Sequence, residues 1–148
     1  MVPVAPEASR AAQGRALVRV LSLRDRERVQ SVLSARDFTE GRYLVFGTRK
    51  GIVKKTEFLA YNTPIKADGI IAINIRDDDE LMQVRRTSGN DDIIMVSRSG
   101  QAARLPETAV RAMGRDTSGV HGLNVSQKHN ARLSCGGATT PQEQTGWS

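Results

Sequence analysis

Tyr43-Leu44-Val45-Phe46-Gly47-Thr48-Arg49-Lys50-Gly51-Ile52-Val53-Lys54-Lys55-Thr56 reads as an apolar run, a short polar turn closed by glycine, and a second run carrying basic residues. Val and Ile are β-branched and suit strands, and a glycine-closed polar break between two such runs predicts a hairpin. The pattern returns in Asp92-Ile93-Ile94-Met95-Val96-Ser97-Arg98-Ser99-Gly100, with Ser97 standing 49 positions after Thr48. Gln101-Ala102-Ala103-Arg104-Leu105 then takes the place of the second run.

Working outward, other stretches recur at nearly the same spacing. Residues 23–32 align with residues 75–84 at a shift of 52, and Gly69 with Ile73-Asn74-Ile75 aligns with Gly119 with Leu123-Asn124-Val125 at a shift of 50. A period of about fifty residues belongs to blade-type β repeats. Strands are predicted at 16–21, 29–35, 43–48, 52–56, 69–75, 81–86, 93–97 and 101–105, with turns at 39–41, 49–51, 77–79 and 98–100 and a short helical turn at 107–111. Four strands per period give an all-β chain, a partial propeller-like array of about two four-stranded blades plus the first strand of a third. Residues 1–12 are expected to be flexible, 13–125 to hold the repeats, and 126–148 to form a disordered tail without strand alternation. The break after residue 125 reads as a third repeat cut in mid-unit by a truncated or frame-shifted reading frame.

Composition sets the partner class. Of 148 residues 39% are hydrophobic and only 4% aromatic, so a core must be built from Val, Ile and Leu. Twenty-two Lys and Arg against 16 Asp and Glu leave a net charge of +6, which suits a polyanionic partner, nucleic acid or an anionic membrane face. Simple solubility is the alternative. No apolar run reaches the length of a membrane-spanning helix, and Met1-Val2-Pro3-Val4-Ala5-Pro6-Glu7 lacks the build of a signal peptide. The single cysteine, Cys135, has no internal partner for a disulfide, and a cytoplasmic location is expected.

The first hairpin is similar to the strand pair "YLVFATRKGxVKKT" of the DNA gyrase A C-terminal domain family. Gly69-Ile70-Ile71-Ala72-Ile73-Asn74-Ile75-Arg76-Asp77-Asp78-Asp79-Glu80-Leu81 resembles its "GIxAINLxxxDEL" segment. Val110-Arg111-Ala112-Met113-Gly114-Arg115-Asp116-Thr117-Ser118-Gly119-Val120 resembles its "VRxMGRxxxGV" signature. The resemblance runs roughly from Pro6 to Val125. It implies a β-pinwheel whose outer rim wraps duplex DNA, within a type II topoisomerase that introduces negative supercoils. It also implies the gyrase B protein and a second copy of gyrase A as partners in the parent complex, with ATP and Mg handled by other domains. No cofactor, metal or catalytic residue is expected in this chain. The family's basic, glycine-rich heptapeptide box is not intact; Arg10-Ala11-Ala12-Gln13-Gly14-Arg15 is a degenerate relative at a blade boundary. Tyr43 and Tyr61 lie within the repeats and are not the family's catalytic tyrosine.

Arg49, Lys50, Lys54 and Lys55 flank the first hairpin turn. Because alternate strand residues face opposite sides, at least one of Lys54 and Lys55 is expected beside Arg49 or Lys50 on the rim. There such a cluster would neutralise phosphates and release counterions. Arg98 and Arg104 occupy the equivalent place in the second repeat, and Arg111 and Arg115 flank Met113-Gly114, with Lys66 and Arg76 as further contributors. A solvated, aggregation-resistant edge is the alternative reading of these charges. Aromatics scarcely interleave with them, which disfavours stacking on single strands and favours contact with the duplex backbone. Asp77-Asp78-Asp79-Glu80 is a solvated turn rather than a hard-metal site, and His121, His129 and Cys135 lack the neighbours for metal binding or catalysis. The chain also has no phosphate-binding glycine loop. Alternatives to a gyrase module are a fragment of topoisomerase IV, a blade-repeat interaction scaffold, and, least favoured, a metal-dependent enzyme using the Asp77–Glu80 carboxylates.

Overall fold

In a computed structural model, residues 27–33, 38, 42–64, 69–124 and 131–136 are described. Strand β1 (Tyr43–Thr48) turns back into β2 (Ile52–Glu57), and β3 (Leu81–Thr87) follows after a long connection. The second hairpin is β4 (Asp92–Ser97) and β5 (Ala102–Pro106), followed by the short β6 (Val120–His121) and by β7 (Ala131–Gly136). The helical turns among the described residues are 3-10, at Phe58–Tyr61 and Glu107–Ala109, the latter within the stretch where the sequence predicts one.

The two hairpins are built by one device. The turns close on Gly51 and Gly100, both at φ +84°, a left-handed conformation open to glycine at no steric cost. The hydroxyl of Thr48 accepts the Ile52 amide at 3.2 Å, and that of Ser97 accepts the Gln101 amide at 3.1 Å. Both hydroxyl residues are buried, and each satisfies an amide of its own turn.

Strand pairing crosses the repeat boundary. One sheet runs β3-β1-β2-β6 and the other β5-β4-β7. In the first, Phe46 opposes Val84; in the second, Met95 opposes Leu133, each position 49 residues on. Val45 opposite Lys55 likewise recurs as Ile94 opposite Arg104. Each hairpin is therefore flanked by a strand supplied by the following repeat.

This exchange explains where the observed strands differ from the expected ones. Residues 131–136 form β7 inside the stretch expected to be disordered, because they stand where β3 stands one repeat earlier and find the free edge of β4. Residues 29–33 are expected to be a strand but form none, and Val32 is 73% exposed. They align with β3 at a shift of 52. Residues 69–75 also form no strand. Their polar backbone is used otherwise: the Ala72 carbonyl accepts Lys54 Nζ at 2.7 Å and Tyr61 Oη at 3.2 Å, and the Asn74 amide donates to the Thr117 carbonyl at 3.0 Å. The predicted strand at 16–21, the turn at 39–41 and the flexible segment 1–12 lie outside the described residues, as do 34–35, 126–130 and 137–148.

The β1–β2 hairpin of the first sheet is buried on both faces. On one, Val45 and Val53 pack with Ile93, Met95 and Val110 of the second repeat. On the other, Leu44, Phe46 and Val84 are covered by Phe58, Tyr61, Phe38 and the 70–73 segment. Gly119 crosses β2 so closely that a Cβ there would sit 2.6 Å from the Val53 carbonyl oxygen, and its φ is +93°. Gly119→Ala should therefore destabilise the fold by about 1–3 kcal/mol, read as a lower denaturant midpoint at unchanged m-value. An unaltered midpoint would remove the close approach as a constraint.

Candidate nucleic-acid interface

Eight cations carry the sequence expectation of DNA contact, and the fold sorts them by burial. Lys54 and Lys55 are a correction: neither reaches a rim, because β2 lies between two packed layers. Lys54 is fully shielded from solvent and Lys55 nearly so. Alternation along the strand sends the two ammonium groups to opposite faces, and each face supplies acceptors. Lys54 Nζ donates to the carbonyls of Ala72 and Arg115 and stands 5.7 Å from the centre of the Phe46 ring. Burial lowers its pKa from 10.5 to about 8, against an opposing pull from the Asp116 carboxylate.

Lys55 Nζ donates to the Glu107 carbonyl at 2.9 Å, approaches its carboxylate at 4.0 Å and lies 4.7 Å from the centre of the Tyr43 ring. Glu107 is itself fully buried. Its carboxylate accepts Thr87 Oγ1 at 2.6 Å and the amides of Gly89 and Asp91 at 3.0 and 3.1 Å. The buried charge is thus paired and hydrogen-bonded, which is the condition for retaining it. Residue-type reasoning passes over Glu107; its place 49 positions after the buried Phe58 is the signal that would have found it.

Arg49 and Lys50 remain at the turn but are engaged. Lys50 Nζ pairs with the Asp78 carboxylate, and the Lys50 amide donates to Asp79 Oδ1 at 2.9 Å. Arg49 Nη2 donates to the Asp78 carbonyl at 3.0 Å, and Nη1 lies 3.6 Å from Glu80 Oε2. The acidic turn at 77–80 is therefore a partner of the hairpin turn.

In the second repeat Arg98 stands exposed at its turn. Arg104 is 73% exposed on β5 and reaches Asp92 Oδ2 at 2.5 Å, a pair that raises its pKa through that hydrogen bond and charge. Arg111 and Arg76 are exposed, while Arg115 is half-buried and its carbonyl holds Lys54. Lys66 and His129 lie outside the described residues. The fold thus takes Lys54 and Lys55 into the interior and pairs Arg49 and Lys50 with acids; among the described residues of the second repeat, Arg98 and Arg111 are exposed and Arg104 is exposed within its pair with Asp92. No helix among the described residues is long and apolar enough to cross a membrane.

Two stability measurements follow. Glu107→Ala leaves Lys55 buried without its counter-charge and should cost about 3–5 kcal/mol, whereas Arg98→Ala at an exposed turn should stay within about 0.5 kcal/mol. The folded chain releases the Lys54 proton near pH 8, while an unfolded chain holds it to about 10.5. Wild-type stability should accordingly rise relative to Lys54→Met as pH increases through that window. A flat difference across it would contradict the buried ammonium.

Comparison with known proteins gives one consistent answer. Residues 5–36, 42–88 and 91–130 match the family described as "DNA gyrase C-terminal domain, beta-propeller". The DNA gyrase A protein of Clostridium acetobutylicum is 49% identical over 117 residues, 79% of this chain and 14% of that protein. Its Salmonella typhimurium counterpart is 44% identical over 121 residues, again 14% of its length. This chain therefore spans about one seventh of the curated relatives it matches. Among solved structures, the C-terminal domain of DNA topoisomerase IV superposes with a TM-score of 0.74 at 27% identity, covering 82% of this chain and 38% of that one. A DNA gyrase A C-terminal domain superposes at 0.71 with 21% identity, covering 84% and 41%.

Proposed function

Because the chain belongs to the family of DNA gyrase C-terminal, beta-propeller domains, we propose that it is a duplex-DNA-binding module acting through Arg98, Arg104 and Arg111. The observation that carries this reading is the partition of charge by burial. The chain has a net charge of +6, and these cations stay in solvent after folding has taken Lys54 and Lys55 inside. Binding is by phosphate neutralisation without base readout. Few aromatics are present for stacking, and Phe46, Phe58 and Tyr61 are spent in the core.

In the parent protein the module serves a cytoplasmic type II topoisomerase. It curves DNA for ATP-dependent negative supercoiling, alongside the gyrase B protein and a second copy of gyrase A, with ATP and Mg bound elsewhere. Bending a site of about 20–30 base pairs costs on the order of 1–6 kcal/mol, which added phosphate contacts offset. A topoisomerase IV-type parent is the second reading, favoured by the fold match at 27% identity. The gyrase reading is supported by relatives at 44–49% identity.

Duplex affinity measured against salt tests the reading. The wild type should bind with a steep negative slope of log K on log salt, and Arg98→Ala/Arg104→Ala/Arg111→Ala should flatten it by about 0.9 for each phosphate no longer neutralised. An unchanged slope in the triple variant rejects these residues as the DNA-binding cations. Ligation of nicked circles then separates the functions: a linking-number shift reports wrapping, and binding without a shift reports a basic clamp.

A further inference from the structure

Resting on that reading, we infer that the acidic turn at 77–80 is a built-in phosphate mimic. It withholds Arg49 and Lys50 from DNA, so that the contact surface belongs to the second hairpin. The carboxylates occupy the donors a phosphate would need: Asp78 takes the Lys50 ammonium, Asp79 the Lys50 amide and Glu80 the Arg49 guanidinium. Strand register brings the turn there, since Thr48 opposes Leu81 and the Arg49 amide donates to the Glu80 carbonyl at 2.8 Å. The turn also braces itself: Asp79 Oδ1 accepts the Glu80 amide at 2.8 Å, and Gln30 Nε2 donates to Glu80 Oε1 at 3.1 Å.

Each exposed pair is weak by itself. A phosphate arriving at this turn must nevertheless break both pairs and then lie against a run of four adjacent acids, Asp77-Asp78-Asp79-Glu80. The second repeat carries no equivalent run of acids in its sequence. The residues before β7, Ser126-Gln127-Lys128-His129-Asn130, contain no carboxylate, and Arg98 is exposed. Two hairpins with the same backbone turn therefore differ at the turn itself, where Arg49 and Lys50 meet acids and Arg98 is exposed, while Arg104 farther along β5 keeps its own pair with Asp92.

Duplex binding by the full chain carrying Asp78→Asn and Glu80→Gln tests this, with Asp79 kept because its side chain caps two amides. At about 50 mM salt the variant should bind roughly three- to tenfold more tightly, and its salt slope should steepen by about 1–2 as Arg49 and Lys50 gain phosphates. Asp78→Asn alone should move both readouts in the same direction by less. Neither gain should appear when Arg49→Ala and Lys50→Ala are also present. A gain that persists in that background is a general charge effect and overturns the inference. So does a variant no tighter than a wild type that binds, which leaves the DNA-binding reading standing. Failure of both proteins to bind duplex DNA sinks the two together.

Discussion

Burying two consecutive lysines in one strand is the constraint around which the structure is organised. A strand covered on both faces has nowhere to put an ammonium group except against acceptors brought to it. Lys54 draws in the carbonyls of Ala72 and Arg115, and Lys55 draws in Glu107. Those acceptors belong to the connections before β3 and β6 and to the turn after β5. The ammonium groups thus pin three irregular segments that have no ladder of their own. Glu107 extends the hold through Thr87, Gly89 and Asp91, so one carboxylate ties the end of β3 and the approach to β4 to the first hairpin. Removing one member of such a set exposes the others to full desolvation, which makes the network cooperative.

Much of the fold is legible in the sequence because the repeat is. The glycine-closed turns at 49–51 and 98–100 and the strands flanking them follow from local chemistry, and local chemistry decides them. What local chemistry does not contain is the partner of each edge. Residues 69–75 are the more apolar and β-branched of the two candidate runs, yet 81–87 becomes the strand, because β1 offers one free edge and β3 takes it. Residues 29–33 show the converse, a strand-like run that pairs with no strand among the described residues. For residues 131–136 composition predicts disorder, whereas they form a strand on β4, one repeat after β3. Register outweighed composition there, since pairing depends on what lies opposite as much as on the segment itself.

The candidate site was less legible, for a related reason. Reasoning from alternation assumes that one face of a strand meets water, as in a half-solvated antiparallel sheet. Here the second repeat packs against one face and residues 58–61 and 70–73 against the other, so alternation selects between two interiors. Lys54 and Lys55 therefore read as surface charge and serve as internal donors. Arg104 occupies the position equivalent to Lys55, but no following layer covers it among the described residues, and it remains 73% exposed. The same register position thus gives a structural cation in one repeat and a solvent-facing one in the next.

That contrast reaches beyond these two residues. In a stacked repeat, the charge available to a partner depends on which neighbours cover each unit, and net charge counts buried and exposed cations alike. Of the basic residues at the first hairpin, two are consumed by packing and two are answered by acids from the strand donor. The second hairpin has the same backbone turn, keeps Arg98 exposed, and pairs Arg104 with Asp92 of its own β4. A basic track on such an array is consequently set at the junctions between units, where the incoming turn either brings carboxylates, as Asp78 and Glu80 do, or brings none.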